Sequence, residues 1–186
     1  MSELPQLIMK NPDITELPPL GLGEDFAIVH HREGCGMEAI WEEIIESAFE
    51  KHYSFQFLIK AGNYKPEHVL YATYKGRHIA TASAVEHPDY PEQGWYRMVG
   101  SHKDARGLGA GRLVALAALH NLRERGYTSA LLSTDDSRLP AISMYLSLGF
   151  KPYLTHESHK ERWERVLEEL EKRKAEKAKP KELKEE

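Results

Sequence analysis

Two β-prone runs, His68 to Tyr74 (HVLYATY) and Arg77 to Glu86 (RHIATASAVE), are separated only by Lys75-Gly76. No other feature of this sequence restricts the fold so tightly, because so short a gap closes a hairpin and pairs the two runs antiparallel. A third β-prone run, Trp95 to His102 (WYRMVGSH), follows, and then the period changes. From Ala110 to Arg125 the apolar residues Leu113, Val114, Leu116, Ala117, Leu119 and Leu122 predict a helix with a broad buried face, ended by Gly126. Ser129 to Ser133 (SALLS) reads as a short apolar strand covered on both faces. Pro140 to Leu148 reads as a helix stopped by Gly149, and Phe150 to Leu154 as another strand. A hairpin and strand followed by helix, strand, helix, strand predicts an α/β sandwich. Its central sheet is mixed and mostly antiparallel, flanked by helices.

Before the hairpin, Asp25 to His31 is β-prone, and Met37 to Phe49 places Ile40, Trp41, Ile44, Ile45 and Ala48 on one helical face. Tyr53 to Tyr64 is aromatic without a clear period and is expected to be irregular. Residues 1–23 are proline-rich and read as an extended arm, and 24–155 as the main domain. Residues 156–178 read as an amphipathic helix carrying Trp163, Val166, Leu167 and Leu170, laid on the domain or, alternatively, pairing two chains as a homodimer. The end, 179–186, is expected to be disordered.

The 25 Lys and Arg against 29 Asp and Glu give a net charge of −4, so no basic field invites nucleic acid. Apolar stretches fall short of the roughly 20 residues that span a bilayer. A single cysteine, Cys35, cannot form an internal disulfide, and a cytoplasmic address is expected. It has no evident base beside it to make a nucleophile. The ten histidines show no metal-ligand spacing, and no metal is expected.

Chemistry concentrates where the strand ending at His102 meets the helix near Ala110. Gly107, Gly109 and Gly111 stand at alternate positions there. Without side chains, backbone N–H groups can converge, and the helix start adds unpaired donors and the positive end of its dipole. Such a junction suits a diphosphate. Arg106 and Arg112 bracket it with charge. The phosphate loop of the nucleotide triphosphatases needs Gly-Lys-Ser/Thr where Gly111-Arg112-Leu113 stands, and the dinucleotide fingerprint fails at Arg112 and Val114.

Arg-x-x-Gly-x-Gly after a strand resembles the acyl-CoA signature of the GNAT acetyltransferase superfamily. Pro140 to Phe150 (PAISMYLSLGF) is similar to that family's second motif, A-x-x-x-Y-x-x-x-G-F. The resemblance covers residues 24 to 155 and implies the acyl-CoA N-acyltransferase fold. It further implies an N-acetyltransferase that uses acetyl-CoA as co-substrate, an amine of a small molecule or a peptide attacking the thioester directly. The alternatives are a silent acyl-CoA-binding module and a transferase for a different acyl-CoA. The implied cofactor-binding set is Val99, Gly100, Ser101, Arg106, Gly107, Leu108, Gly109, Ala110, Gly111, Arg112, Arg138 and Tyr145. Arg138 stands where the family often has Asn. Gly100 inside a strand marks a bulge or a close approach, and the resemblance gives a bulge amide there the role of oxyanion donor. Tyr145 is the implied general acid toward the sulfur. Glu86 is the candidate base, with His87 and His102 as alternatives at the strand ends.

Overall fold

The computed structural model describes residues 4–60 and 64–178, so the 179–186 tail lies outside the described residues. In chain order the first elements are β1 (Leu7–Asn11), β2 (Phe26–His30), α1 (Met37–Phe49), α2 (Phe55–Lys60), β3 (Val69–Tyr74), β4 (Arg77–Val85) and β5 (Gly94–Ser101). They are followed by α3 (Ala110–Glu124), β6 (Ala130–Thr134), α4 (Leu139–Ser147), β7 (Lys151–Tyr153) and α5 (His159–Ala178). No helix is long and apolar enough to cross a membrane among the described residues. The chain divides into two compact units, 11–132 in one and 4–10 with 133–178 in the other. Residues 24–155, expected as the main domain, take in most of the larger unit and the first part of 133–178 in the smaller one.

In the larger unit β2, β3, β4 and β5 pair antiparallel in succession, and β6 joins β5 in parallel. The hairpin closes as the sequence demands: Tyr74 faces Arg77, and Lys75 and Gly76 take φ values of 50° and 78°. Two left-handed residues give the turn whose twist matches that of the strands. The β4–β5 ladder then breaks register. Ser83 faces Arg97 and Thr81 faces Gly100, so Met98 and Val99 together oppose Ala82. This is a β-bulge on β5, with Met98 left-handed at φ 51°.

The bulge has a consequence for which way β5 faces. A Cβ on Gly94 would meet Leu122 of α3 at 2.8 Å, while one on Gly100 would meet Ala48 and Ile45 of α1 at 3.0 Å. In a regular strand these glycines, an even number of positions apart, would share a face. The extra residue switches the alternation, and α1 and α3 accordingly cover opposite faces. Between them lie the fully buried Trp41, Tyr71, Leu116, Leu119 and Leu122. Each such side chain contributes about 1.5–3 kcal/mol by leaving water.

In the smaller unit β1 runs antiparallel to β7, with Ile8 facing Tyr153 and Lys10 facing Lys151. The 1–23 arm is therefore not simply extended: it holds a strand whose Leu7 and Met9 are fully buried. Helices α4 and α5 pack together, α5 burying Trp163, Val166 and Leu170 as its apolar stripe predicts. Leu167, counted in that stripe, stays 38% exposed. The stretch expected to be irregular, 53–64, contains α2; six residues with aromatics at both ends of FQF give periodicity too little length to register.

Candidate active site

The junction between β5 and α3 is built almost wholly of backbone. A short 3-10 turn, Lys103–Ala105, leads to Arg106, and Gly107 and Gly109 then take φ values of 85° and 74°. Only glycine holds such angles without strain. Gly109 is the N-cap of α3 and, lacking a side chain, offers no capping oxygen. The first intrahelical bond runs from Leu113 N–H to the Gly109 carbonyl at 3.0 Å, so Ala110, Gly111 and Arg112 lead the helix with N–H groups that have no carbonyl within it. No acidic residue stands in this first turn, whereas α1 has Glu38 in its own. Gly107 and Gly109 have open space where a Cβ would lie, and Leu108 is 41% exposed. Glu50 is near enough to Arg106 for their charges to attract. Converging donors, a helix dipole and two flanking arginines make a seat for a multiply charged anion. This fits the diphosphate of CoA.

Beside Gly109 opens an apolar cleft walled by Leu20, Phe26, Leu108, Leu113 and Leu116. The Pro18 carbonyl meets Nε2 of His120 on α3 at 2.9 Å and pins the arm there. Sequence reading did not find this wall, since a proline-rich arm carries no period to say what it packs against.

Upstream on β5 lie Val99, Gly100 and Ser101. The parallel register between β5 and β6 matches Gly94 to Ala130 and Trp95 to Leu131, and goes no further, although β5 runs on to Ser101. The pairing with β6 thus ends before the bulge. Gly100 was expected to mark that bulge; the extra residue sits instead at Met98–Val99, and Gly100 provides room for Ala48 and Ile45 of α1. No sequence signal singles out Met98, because methionine has no preference for left-handed backbone.

The model of the acetyltransferase (GNAT) family matches residues 37–150, which contain the loop, the bulge and the PAISMYLSLGF helix. The chain belongs to that family. A mycothiol acetyltransferase of Thermomonospora curvata is 39% identical over 90 residues, covering 48% of this chain and 30% of that protein. One from a Nocardioides species is 32% identical over 126 residues, covering 67% of this chain and 42% of that protein. The chain thus spans less than half the length of these relatives. Among solved structures, a GCN5-related N-acetyltransferase from Sphaerobacter thermophilus superposes with a TM-score of 0.64 at 22% identity, covering 81% of this chain and 50% of that one. The ribosomal-protein-S18-alanine N-acetyltransferase of Escherichia coli gives 0.57 at 20% identity, covering 69% and 79%. At such identities these two structures show the fold, which is the mixed-sheet acyl-CoA N-acyltransferase fold.

Of the GNAT second motif, Tyr145 and Arg138 lie in the smaller unit. Tyr145, on α4, is only 7% exposed and stands edge-on to Phe150 with ring centres 6.1 Å apart. Burial pushes its phenol up to about 12, with Arg138 pulling the other way. Arg138 occupies the N-cap position of α4 without a side-chain cap bond, and its Nε donates to Asp135 at 2.9 Å.

The base candidates are engaged with neighbours. Glu86 accepts from Arg125 at 2.9 Å, while the same guanidinium donates to the Ala84 carbonyl at 2.7 Å. Nδ1 of His87 accepts from Asp89 N–H at 3.2 Å, and its ring lies against Trp95 with centres 4.4 Å apart. His102 Nδ1 accepts from Asp104 N–H at 3.3 Å, and Nε2 lies 3.6 Å from Glu43. Each ring thus caps its own turn. No group of three His, Cys, Asp or Glu side chains suited to a metal occurs among the described residues.

Proposed function

We propose that the chain transfers an acetyl group from acetyl-CoA to a primary amine by direct attack. The observation that carries this reading is the bare, acid-free start of α3 that follows the bulged strand β5. Gly107, Gly109, Ala110, Gly111 and Arg112 hold the diphosphate through backbone N–H groups, Arg106 and Arg112 add two guanidinium charges, and Leu108, whose own N–H is bonded to the Ala105 carbonyl, completes the loop. Val99, Gly100 and Ser101 border the pantetheine and acetyl group. The amide of the extra residue at the Met98–Val99 bulge donates to the carbonyl oxygen as it gains charge, the kind of contact that strengthens in the transition state.

The amine nitrogen bonds to the acetyl carbon, the C–S bond breaks, and sulfur departs with the electron pair. Full proton transfer from Tyr145 to that sulfur is steeply uphill. A phenol pushed up to about 12 lies roughly 3.5 units above an ordinary thiol, or about 5 kcal/mol. Tyr145 therefore acts as a hydrogen-bond donor to the developing thiolate. Glu86 keeps one carboxylate oxygen on Arg125 and is half exposed, so either its other oxygen or water can take the proton shed by the amine. The word mycothiol in the relatives' names is not carried over to this chain, because the matched segments cover 30% and 42% of those proteins.

The test is titration with CoA together with thiol release from acetyl-CoA in the presence of pooled amines. Arg106→Glu and Gly109→Val should each weaken CoA binding by about tenfold or more, since charge-assisted hydrogen bonds and unstrained left-handed backbone are lost. Unaltered affinity in both variants rules out the loop as the CoA seat.

A further inference from the structure

Arg97 directly precedes the left-handed Met98 on β5 and, by strand alternation across the bulge, shares the α1 face with Trp95 and Gly100. Its side chain is exposed and meets no carboxylate among the described residues, whereas Arg77, Arg125, Arg138, Arg162, Arg165 and Arg173 all do. Its guanidinium lies 6.0 Å from the ring centre of Tyr64. A cation–π contact at that distance leaves the edge of the guanidinium, the part that grips planar anions in pairs of hydrogen bonds, available.

Tyr64 supplies a second, independent observation. It is 7% exposed, yet its hydroxyl has no hydrogen-bond partner among the described residues. A buried hydroxyl without a partner is uncommon and costly. Burial pushes this phenol up to about 12, with Arg97 pulling it back, so the proton is present to be donated at neutral pH. Trp95, on the same face of β5, is 5% exposed and stacks with Tyr90 at 5.5 Å, so aromatic rings close this part of the face. An exposed guanidinium that meets no carboxylate among the described residues, over a tyrosine ring and one residue before the bulge, offers a seat for an anion. This anion is distinct from the diphosphate, which has its own arginines at Arg106 and Arg112.

We infer that the amine acceptor carries an anionic group, a carboxylate or a phosphate, which Arg97 binds with help from Tyr64 while the amine faces the bulge at Met98–Val99. This rests on the acetyl-transfer reading. Arg97 is then a specificity-determining residue of the acceptor site.

The test measures thiol release from acetyl-CoA with matched amines: amino acids against their carboxamides, and O-phosphoethanolamine against ethanolamine. Wild type should favour the charged member of one pair, and which pair responds tells carboxylate from phosphate. Arg97→Gln should cut the charged-to-neutral ratio of kcat/KM by about tenfold to a hundredfold, through KM, and Arg97→Lys should restore part of it. Indifference of wild type to charge in both pairs overturns the proposal, as does an equal loss for both members in Arg97→Gln. CoA titration of each protein keeps the two ideas apart. Absent CoA binding in wild type sinks acetyl transfer itself, whereas intact CoA binding with transfer blind to charge sinks only the anionic acceptor.

Discussion

Burial decides what Tyr145 can do. With its phenol pushed up to about 12, the hydroxyl keeps its proton throughout the range in which the enzyme can be assayed. The raised value sets the sign: no activity should be lost through tyrosine ionisation as pH climbs to 10. Tyr145→Phe should lower kcat by about tenfold with the CoA dissociation constant unchanged, as expected when a contact made mainly in the transition state is removed. An alkaline limb near pH 10 that vanishes in the Phe variant would instead show a phenol titrating in the ordinary range. The motif helix carrying Tyr145 was legible because its Tyr and Gly-Phe stand at fixed offsets. The bulge was legible only approximately. Gly100 drew attention since glycine in a strand is conspicuous, but the strained position fell to Met98, whose side chain gives no hint of φ 51°.

At the scale of elements, what the sequence disclosed follows from contrast. Helix α1 begins and ends where its apolar period does, at Met37 and Phe49, between left-handed Gly36 and Glu50. Hairpin β3–β4 is marked by its own turn. Strand β1 is different: LIMKN alternates over too short a run, among prolines, and its partner Lys151–Tyr153 lies near the other end of the chain. Local pattern cannot report a pairing of that range. Gly94 is a case where an element contact accounts for a residue the reading passed over. A Cβ there would come within 2.8 Å of both methyl carbons of Leu122, which is itself fully buried in α3. Gly94→Ala should therefore destabilise the fold by about 1–3 kcal/mol, the usual cost of overfilling a packed site. Urea unfolding measures it, and Gly94→Ala with Leu122→Ala should recover part of the loss if the clash is the cause.

Over the whole chain, the fold class was recoverable because it depends on the order of elements, while the long-range ties that close the ends were not. Arg162 shows why. On α5 it is 8% exposed and grips both carboxylate oxygens of Asp136, Nε at 2.9 Å, and its Nη1 donates to the Pro5 carbonyl at 2.7 Å. One guanidinium thus joins the N-terminal arm, the segment before α4 and the C-terminal helix, three places no local pattern links. Its hydrogen bonds hold the Asp136 carboxyl below its usual range. A group whose folded value is depressed contributes stability above its unfolded value, near 3.9, and loses it as pH falls through the folded one. Arg162→Ala should lower stability at neutral pH by about 1–2 kcal/mol, a modest figure because Asp136 is partly solvated, and lower Tm by roughly 2–8 °C. In acid the difference should shrink, since protonated Asp136 no longer rewards the arginine. Thermal unfolding of both proteins at neutral pH and near pH 3 decides it. Curves that stay equally far apart at the two pH values would mean that Arg162 acts through packing and the Pro5 carbonyl, and that its charge on Asp136 contributes nothing to holding the ends together.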